Sequence, residues 1–186
     1  VTRPDLIREI HTADVESGAD FIETNTFGAN RIKLAKFGLG DKVEALNTAA
    51  VNLAKEASGG KVMIAGAIGP LFGMRNPLQR ISNAEASDAF AEQGAALATA
   101  GVDFILLETF SFIEEVHLAI SAISAVSSLP LVVQVAVGGD GTFPLQHNQQ
   151  LLDPAHFQET MRELAEMPEV TAVGLNCSVG PAAMLD

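Results

Sequence analysis

The sequence predicts an α/β fold built on a parallel β-sheet, and three observations lead to this prediction. Short apolar runs alternate along the chain with longer amphipathic segments, as strands and helices do in repeated βα units. The runs, such as residues 131–137, are continuously apolar, which is typical of parallel strands covered on both faces. The 186 residues are 48% hydrophobic and 18% charged, which suits one packed domain and excludes a disordered chain.

Five strands and five helices are predicted in alternating order, starting with a helix at the amino-terminal end. The strands are residues 19–25, 62–68, 104–107, 131–137 and 170–175. Each later helix begins at a pair of residues that is typical of a helix amino terminus. These pairs are Asp41 with Glu44, Ser82 with Glu85, Ser111 with Glu114, and Asp153 with Pro154.

A doubly wound open sheet and a (β/α)8 barrel both fit this alternation. A doubly wound nucleotide domain would carry a Gly-rich phosphate loop after its first strand, and no such loop follows the strands here. Polar residues follow several strands instead, at 23–25, 108–109 and 176–177. Because a barrel builds its site from the carboxyl ends of many strands, the sequence favours the (β/α)8 barrel. Barrels typically need ~250 residues, so we expect residues 1–186 to form a partial barrel domain with about five βα units, without the first and last strands.

Charge and cysteine content exclude several classes of partner. The formal net charge is −12, from 23 acidic and 11 basic residues, and no basic cluster is present. Such a chain is poorly suited to nucleic acid or to an anionic membrane surface. No apolar run approaches the ~20 residues that span a bilayer. The single cysteine excludes a disulfide framework and fits a reducing compartment, so we expect a cytoplasmic protein.

A few residues at strand ends are candidates for chemistry. Glu108 ends an apolar strand, where a carboxylate needs either an ion-pair partner in a neighbouring loop or a substrate ammonium. Glu23 and Asn25 are two residues apart and therefore share one face of their strand. The pattern does not say whether that face is the one at the mouth of the barrel. Cys177 is either a small buried hydrophobe or one ligand of a zinc ion, which needs three from the protein. His147, after the fourth strand, is a further candidate ligand.

Four segments at the strand ends resemble, in order, the motifs of the homocysteine S-methyltransferase family. They are residues 18–30 (GADFIETNTFGAN), 65–70 (AGAIGP), 101–110 (GVDFILLETF) and 174–181 (GLNCSVGP). The resemblance implies a zinc-dependent (β/α)8 barrel that transfers a methyl group to the thiol of homocysteine and forms methionine. It implies that Cys177 is a zinc ligand and that Glu108 holds the homocysteine amino group. It also implies that Asn25, Thr26 and Asn176 lie near the substrate.

The resemblance also sets expectations about what else the enzyme needs. The family's Gly-rich first strand and its Gly-Gly-Cys-Cys motif, which supplies the other two zinc ligands, have no counterpart in the chain. We therefore expect an internal fragment that is inactive alone, with a homo-oligomer or further domains of a longer chain as partners. Methylfolate, betaine and S-methylmethionine all serve the family as methyl donors. The turn at residues 69–73 resembles the folate-linked branches, which favours methyltetrahydrofolate.

Two other functional classes stay open at this point. One is a metal-free (β/α)8 lyase or aldolase in which Glu108 is the base. The other is a truncated barrel that binds without catalysing a reaction.

Overall fold

The computed structural model describes residues 2–71, 81–136, 146–147, 150–151, 153–177 and 180. The helices are α1 (Pro4–Glu16), α2 (Arg31–Ala35), α3 (Val43–Ser58), α4 (Asn83–Ala100), α5 (Ile113–Ser124) and α6 (Pro154–Glu166). The strands are β1 (Phe21–Glu23), β2 (Met63–Ile68), β3 (Phe104–Phe110), β4 (Leu131–Ala136), β5 (Gln146–His147), β6 (Gln150–Leu151) and β7 (Val170–Asn176). In this part of the chain, no helix combines the length and apolarity needed to cross a membrane.

Five strands form one sheet in the order β1-β2-β3-β4-β7, and every neighbouring pair is parallel. Strands β5 and β6 form a separate antiparallel pair. The order follows the chain without the reversal that a doubly wound sheet has at its switch point. The predicted α/β architecture is therefore confirmed, and the sheet has the strand order of a barrel wall that is not closed within the described residues.

The two faces of the sheet have different surroundings. On one face, apolar side chains such as Ile64, Leu107 and Val133 are buried against residues of α3, α4 and α5, including Val51, Phe90 and Ile120. The opposite face, which we call the open face, carries Phe21 and Met63, which are 41% and 51% exposed. Glu23 also belongs to the open face, because it alternates with the buried Ile22. The polar residues at the strand ends are thus available for function on the open face.

Two of the predicted helix starts are confirmed. Ser82 and Glu85 form a reciprocal capping box at the start of α4. Asp153 accepts a hydrogen bond from the backbone N–H of His156 at the start of α6.

The other two predicted caps are wrong. Helix α3 begins after Lys42 without a side-chain cap, so Asp41 is not its N-cap. Helix α5 begins after Phe112, because β3 continues to Phe110 and leaves Ser111 buried. The short helix α2 was also not predicted, since its five residues are too few to show a helical period.

Candidate functional site

A cleft of about 770 Å³ runs along β1, between α1 and the end of β3. Three acidic residues line it, namely Asp14, Glu23 and Glu108. No lysine or arginine is among the described residues that line it. Such a cleft favours a cationic ligand over an anionic one, since no positive side chain offsets the carboxylates.

The structure answers the question of which face Glu23 and Asn25 share. Both line the cleft with exposed side chains, whereas Ile22 and Thr24, which alternate with them along the chain, are buried. Asn25 is exposed in the cleft. Burial raises the pKa of the Glu23 carboxyl, although part of the side chain is accessible to solvent. The sequence therefore predicted that Glu23 lies at the end of a strand, but not that its side chain lies on the face that forms the cleft.

Glu108 is the most perturbed carboxyl group of the cleft. Burial, and then the negative charge of Glu23, raise its pKa to about 7. Its Oε2 atom accepts a hydrogen bond from Nδ2 of Asn176 at 3.3 Å. A half-buried carboxylate without a positive partner among the cleft residues can be stabilised by a ligand ammonium, which would lower this pKa again.

Thr26 lies under the cleft rather than in it, since its side chain is 1% exposed. Its Oγ1 donates to the carbonyl of Ala67 at 2.7 Å and lies 2.6 Å from Oγ1 of Thr24. Thr24 Oγ1 in turn accepts from the backbone N–H of Ala67 at 3.1 Å. The two hydroxyl groups therefore bind the segment after β1 to β2 and hold Asn25 between them at the cleft surface.

His11 of α1 also lines the cleft, although the sequence pattern indicates only a surface or helix-packing role for it. The residue is 5% exposed, and among the described residues its Nε2 has no hydrogen-bond partner. Burial lowers the pKa of its imidazole, which favours the neutral form. The only signal in the sequence was a histidine one turn after Ile7 on an otherwise amphipathic helix, and this pattern does not point to a cleft.

Asn176 and Cys177 lie at the end of β7, on the same edge of the sheet as Glu108. Asn176 contacts Glu108 directly, whereas Cys177 is an exposed free thiol that does not line the cleft. The backbone turns sharply at Cys177, where φ is 64°. The structure therefore brings Glu108, Asn25 and Asn176 around one region, with Cys177 next to it in sequence.

A zinc ion fits these residues only in part. Cys177 is exposed and offers one thiol ligand. Among the described residues, no three His, Cys, Asp or Glu side chains cluster closely enough to hold a metal ion. The side chain of His147 lies outside the described residues, as do residues 72–80. The part of the chain that the structure describes thus provides one ligand and not a complete zinc site.

The family model and the relatives with similar sequences identify one family. The family model for homocysteine S-methyltransferase matches residues 1–186. Methionine synthase of Mycobacterium leprae is 29% identical over 197 residues, which cover 98% of this chain and 15% of that protein. S-methylmethionine–homocysteine S-methyltransferase BHMT2 of Mus musculus is 32% identical over 184 residues, which cover 97% of this chain and 45% of that protein. The chain thus spans less than half the length of either relative.

The fold is also shared with a solved structure. The apo form of the homocysteine methyltransferase MmuM from Escherichia coli superimposes with a TM-score of 0.70 at 23% identity, covering 99% of this chain and 65% of that one. The metallated form of MmuM gives a TM-score of 0.55 at 19% identity, covering 99% and 84%. At these identities the similarity is evidence for the fold alone.

Proposed function

The chain belongs to the homocysteine S-methyltransferase family, and we propose that the whole protein transfers a methyl group to the thiol of homocysteine, giving methionine. The observation that carries the proposal is the acid-lined cleft with Glu108 half-buried in it. Homocysteine brings an ammonium group, and a cleft with three acidic side chains and, among the described residues, no lysine or arginine suits such a ligand. The family membership also disfavours the lyase and the non-catalytic alternatives.

In this proposal, Glu108 binds the ammonium group of homocysteine. A charge-assisted hydrogen bond from the ammonium group would stabilise the Glu108 carboxylate, whose charged form is disfavoured by burial. Glu23 adds a second negative charge to the same cleft, and Asn25 offers an amide at its surface. Thr26 acts from below, because its hydroxyl group already donates to Ala67. Together these residues would orient the substrate so that its sulfur points toward the end of β7.

We propose Cys177 as one zinc ligand, with the remaining ligands supplied from outside the described residues. Zinc, when bound, lowers the pKa of a coordinating thiol so that it is a thiolate at neutral pH. In the transfer itself, the substrate sulfur forms a bond to the methyl carbon while the bond between that carbon and the donor breaks. The donor keeps that electron pair, and the thiol proton is lost to solvent. The residues of this chain hold the substrate in line for that displacement.

We propose methyltetrahydrofolate as the methyl donor, on the resemblance of the turn that begins at Gly69-Pro70. The relatives leave other donors to be tested, since one of them carries S-methylmethionine in its name. Assays of the whole protein with each donor, at equal homocysteine, would decide between them. Turnover with S-methylmethionine alone would contradict the folate assignment.

We also propose that residues 1–186 are part of a (β/α)8 barrel domain. One observation that supports this proposal is the exposure of Phe21 and Met63 on the open face. In a closed barrel this face would be the interior, where such side chains are packed and buried. The strand order also follows the chain, as it does in the wall of a barrel.

The substitution Glu108→Gln in the whole protein tests the proposed role. It keeps the shape of the side chain and removes the charge, so we expect the KM for homocysteine to rise by roughly ten- to a hundredfold, from the loss of one charged hydrogen bond. The zinc content should not change. Glu163→Gln, an exposed glutamate on α6, is the matched control and should leave KM as it is. An unchanged KM in Glu108→Gln would contradict the proposal.

A further inference from the structure

The carboxyl end of β3 departs from a regular strand. Leu107 pairs with Val133 of β4 and Phe110 pairs with Val135, so β3 uses three steps where β4 uses two. One extra residue in a strand is a β-bulge, a device that redirects side chains near functional sites. Thr109 lies within it at a φ of 65°, a left-handed conformation that β-branched residues rarely adopt. Glu108 is therefore presented by a strained bulge rather than by a regular strand.

One side chain from a distant strand holds this bulge. Strand β7 is separated from β3 by β4, yet Asn176 at the end of β7 reaches both residues of the bulge. Its Oδ1 accepts a hydrogen bond from the backbone N–H of Thr109 at 3.0 Å. Its Nδ2 donates to Oγ1 of Thr109 at 2.9 Å and to Oε2 of Glu108 at 3.3 Å. Because a backbone N–H can only donate, the orientation of the amide is fixed by the contact with Thr109.

We infer that Asn176 is a positioning residue whose amide fixes the bulge at Glu108 and Thr109 and thereby aims the Glu108 carboxylate into the cleft. An asparagine amide has two N–H donors, and both are used within the protein. Neither donor is left for a substrate, so the role proposed here differs from the substrate contact that the family resemblance implied. The inference rests on the proposed function, because it assumes that Glu108 binds the substrate ammonium.

Asn176 is also next to the proposed zinc ligand in the chain. It directly precedes Cys177, where the backbone also turns through a left-handed conformation. The same side chain therefore links the residue proposed to hold zinc with the residue proposed to hold the substrate amino group.

A double-mutant cycle in the whole protein separates positioning from direct contact. The variants are Asn176→Ala, Glu108→Gln and the combination of the two. If Asn176 acts through Glu108, each single substitution raises the KM for homocysteine, by about tenfold or more, and the double variant is no worse than Glu108→Gln alone. Multiplying losses would show that Asn176 contacts the substrate itself, and would overturn the inference. An unchanged KM in Glu108→Gln alone would instead overturn the proposed function.

Two more variants distinguish the loss of a single hydrogen bond from a general loss of structure. Thr109→Val removes one partner of the amide but leaves Asn176 in place, so we expect a smaller rise in KM, with kcat nearly unchanged. Thr109→Ser keeps the hydroxyl group and should restore the original KM. Asn52→Ala, at an exposed asparagine on α3, is the matched control for Asn176→Ala and should leave KM as it is. Equal effects of Thr109→Val and Thr109→Ser would contradict the positioning role.

Discussion

Glu108 and Glu23 impose a pH dependence on the cleft. The pKa of Glu108 is raised to about 7, first by burial and then by the charge of Glu23. Below that pH the empty cleft holds a proton on Glu108, and an ammonium ligand must displace it. The affinity for homocysteine should therefore rise, and KM should fall, as the pH increases through about 7.

The variant Glu23→Gln identifies the source of this dependence. It removes the neighbouring negative charge, so the midpoint of the KM profile should move to lower pH. The measurement is KM against pH between about 5.5 and 8.5, compared with the midpoint of Glu163→Gln. If Glu23→Gln leaves the midpoint where it was, the two carboxylates do not interact.

The same carboxyl group lowers the stability of the folded chain near neutral pH. Its pKa is raised in the folded state above the ordinary value of 4.5, so the folded state holds a proton that the unfolded state releases. The free energy of unfolding therefore falls as the pH rises from about 4.5 to about 7. Function and stability are opposed at Glu108.

Single residues differ in how far the sequence predicts them. Glu108 and Asn176 were predictable as polar groups after apolar strands, and both lie at the carboxyl edge of the sheet. The hydrogen bond between these two residues could not be predicted, because it depends on a β-bulge that the apolar pattern does not show. Thr26 was expected near the substrate on a motif, yet its hydroxyl group is used within the protein. Spacing predicts which residues share a face of a strand, but neither which face that is nor which neighbours their side chains contact.

At the scale of elements, the capping box of α4 provides a direct test. Ser82 accepts a hydrogen bond from the backbone N–H of Glu85, and the Glu85 side chain accepts one from the backbone N–H of Ser82. The substitution Ser82→Ala should lower the free energy of unfolding by about 1 kcal/mol.

The matched control is Ser87→Ala, in the interior of the same helix. Alanine is the better helix former there, so we expect no loss of stability. Denaturant unfolding of both variants gives the comparison. Equal losses would mean that the cap contributes nothing specific.

The capping signals also explain where sequence analysis succeeded and failed. The pairs Ser82–Glu85 and Ser111–Glu114 have identical spacing, but only the first caps a helix. Ser111 is buried because the bulge in β3 extends the strand to Phe110 and delays the helix to Ile113. A capping motif therefore fails to start a helix where the preceding strand continues beyond its apolar run, as β3 does.

For the whole molecule, the number of thiols limits metal binding. The chain has one cysteine, and a catalytic zinc needs three protein ligands. We expect the 186-residue chain to bind zinc weakly and to show no methyltransferase activity on its own.

Equilibrium dialysis against buffered zinc checks this expectation. The whole protein should bind about one zinc ion per chain. There, Cys177→Ala should abolish both the metal and the turnover. Tight stoichiometric zinc in the 186-residue chain would contradict the assignment and would show that this chain holds a complete ligand set.

The contact between Asn176 and Glu108 also has a consequence in time. The two residues are 68 positions apart in the chain, and every strand from β1 to β4 is made before β7. During synthesis the carboxylate therefore emerges well before the amide that orients it. Interactions that form late in folding govern the rate of unfolding rather than the rate of folding. We therefore expect the contact between Asn176 and Glu108 to form after β1 to β4 have paired, and its loss to affect the rate of unfolding more than the rate of folding.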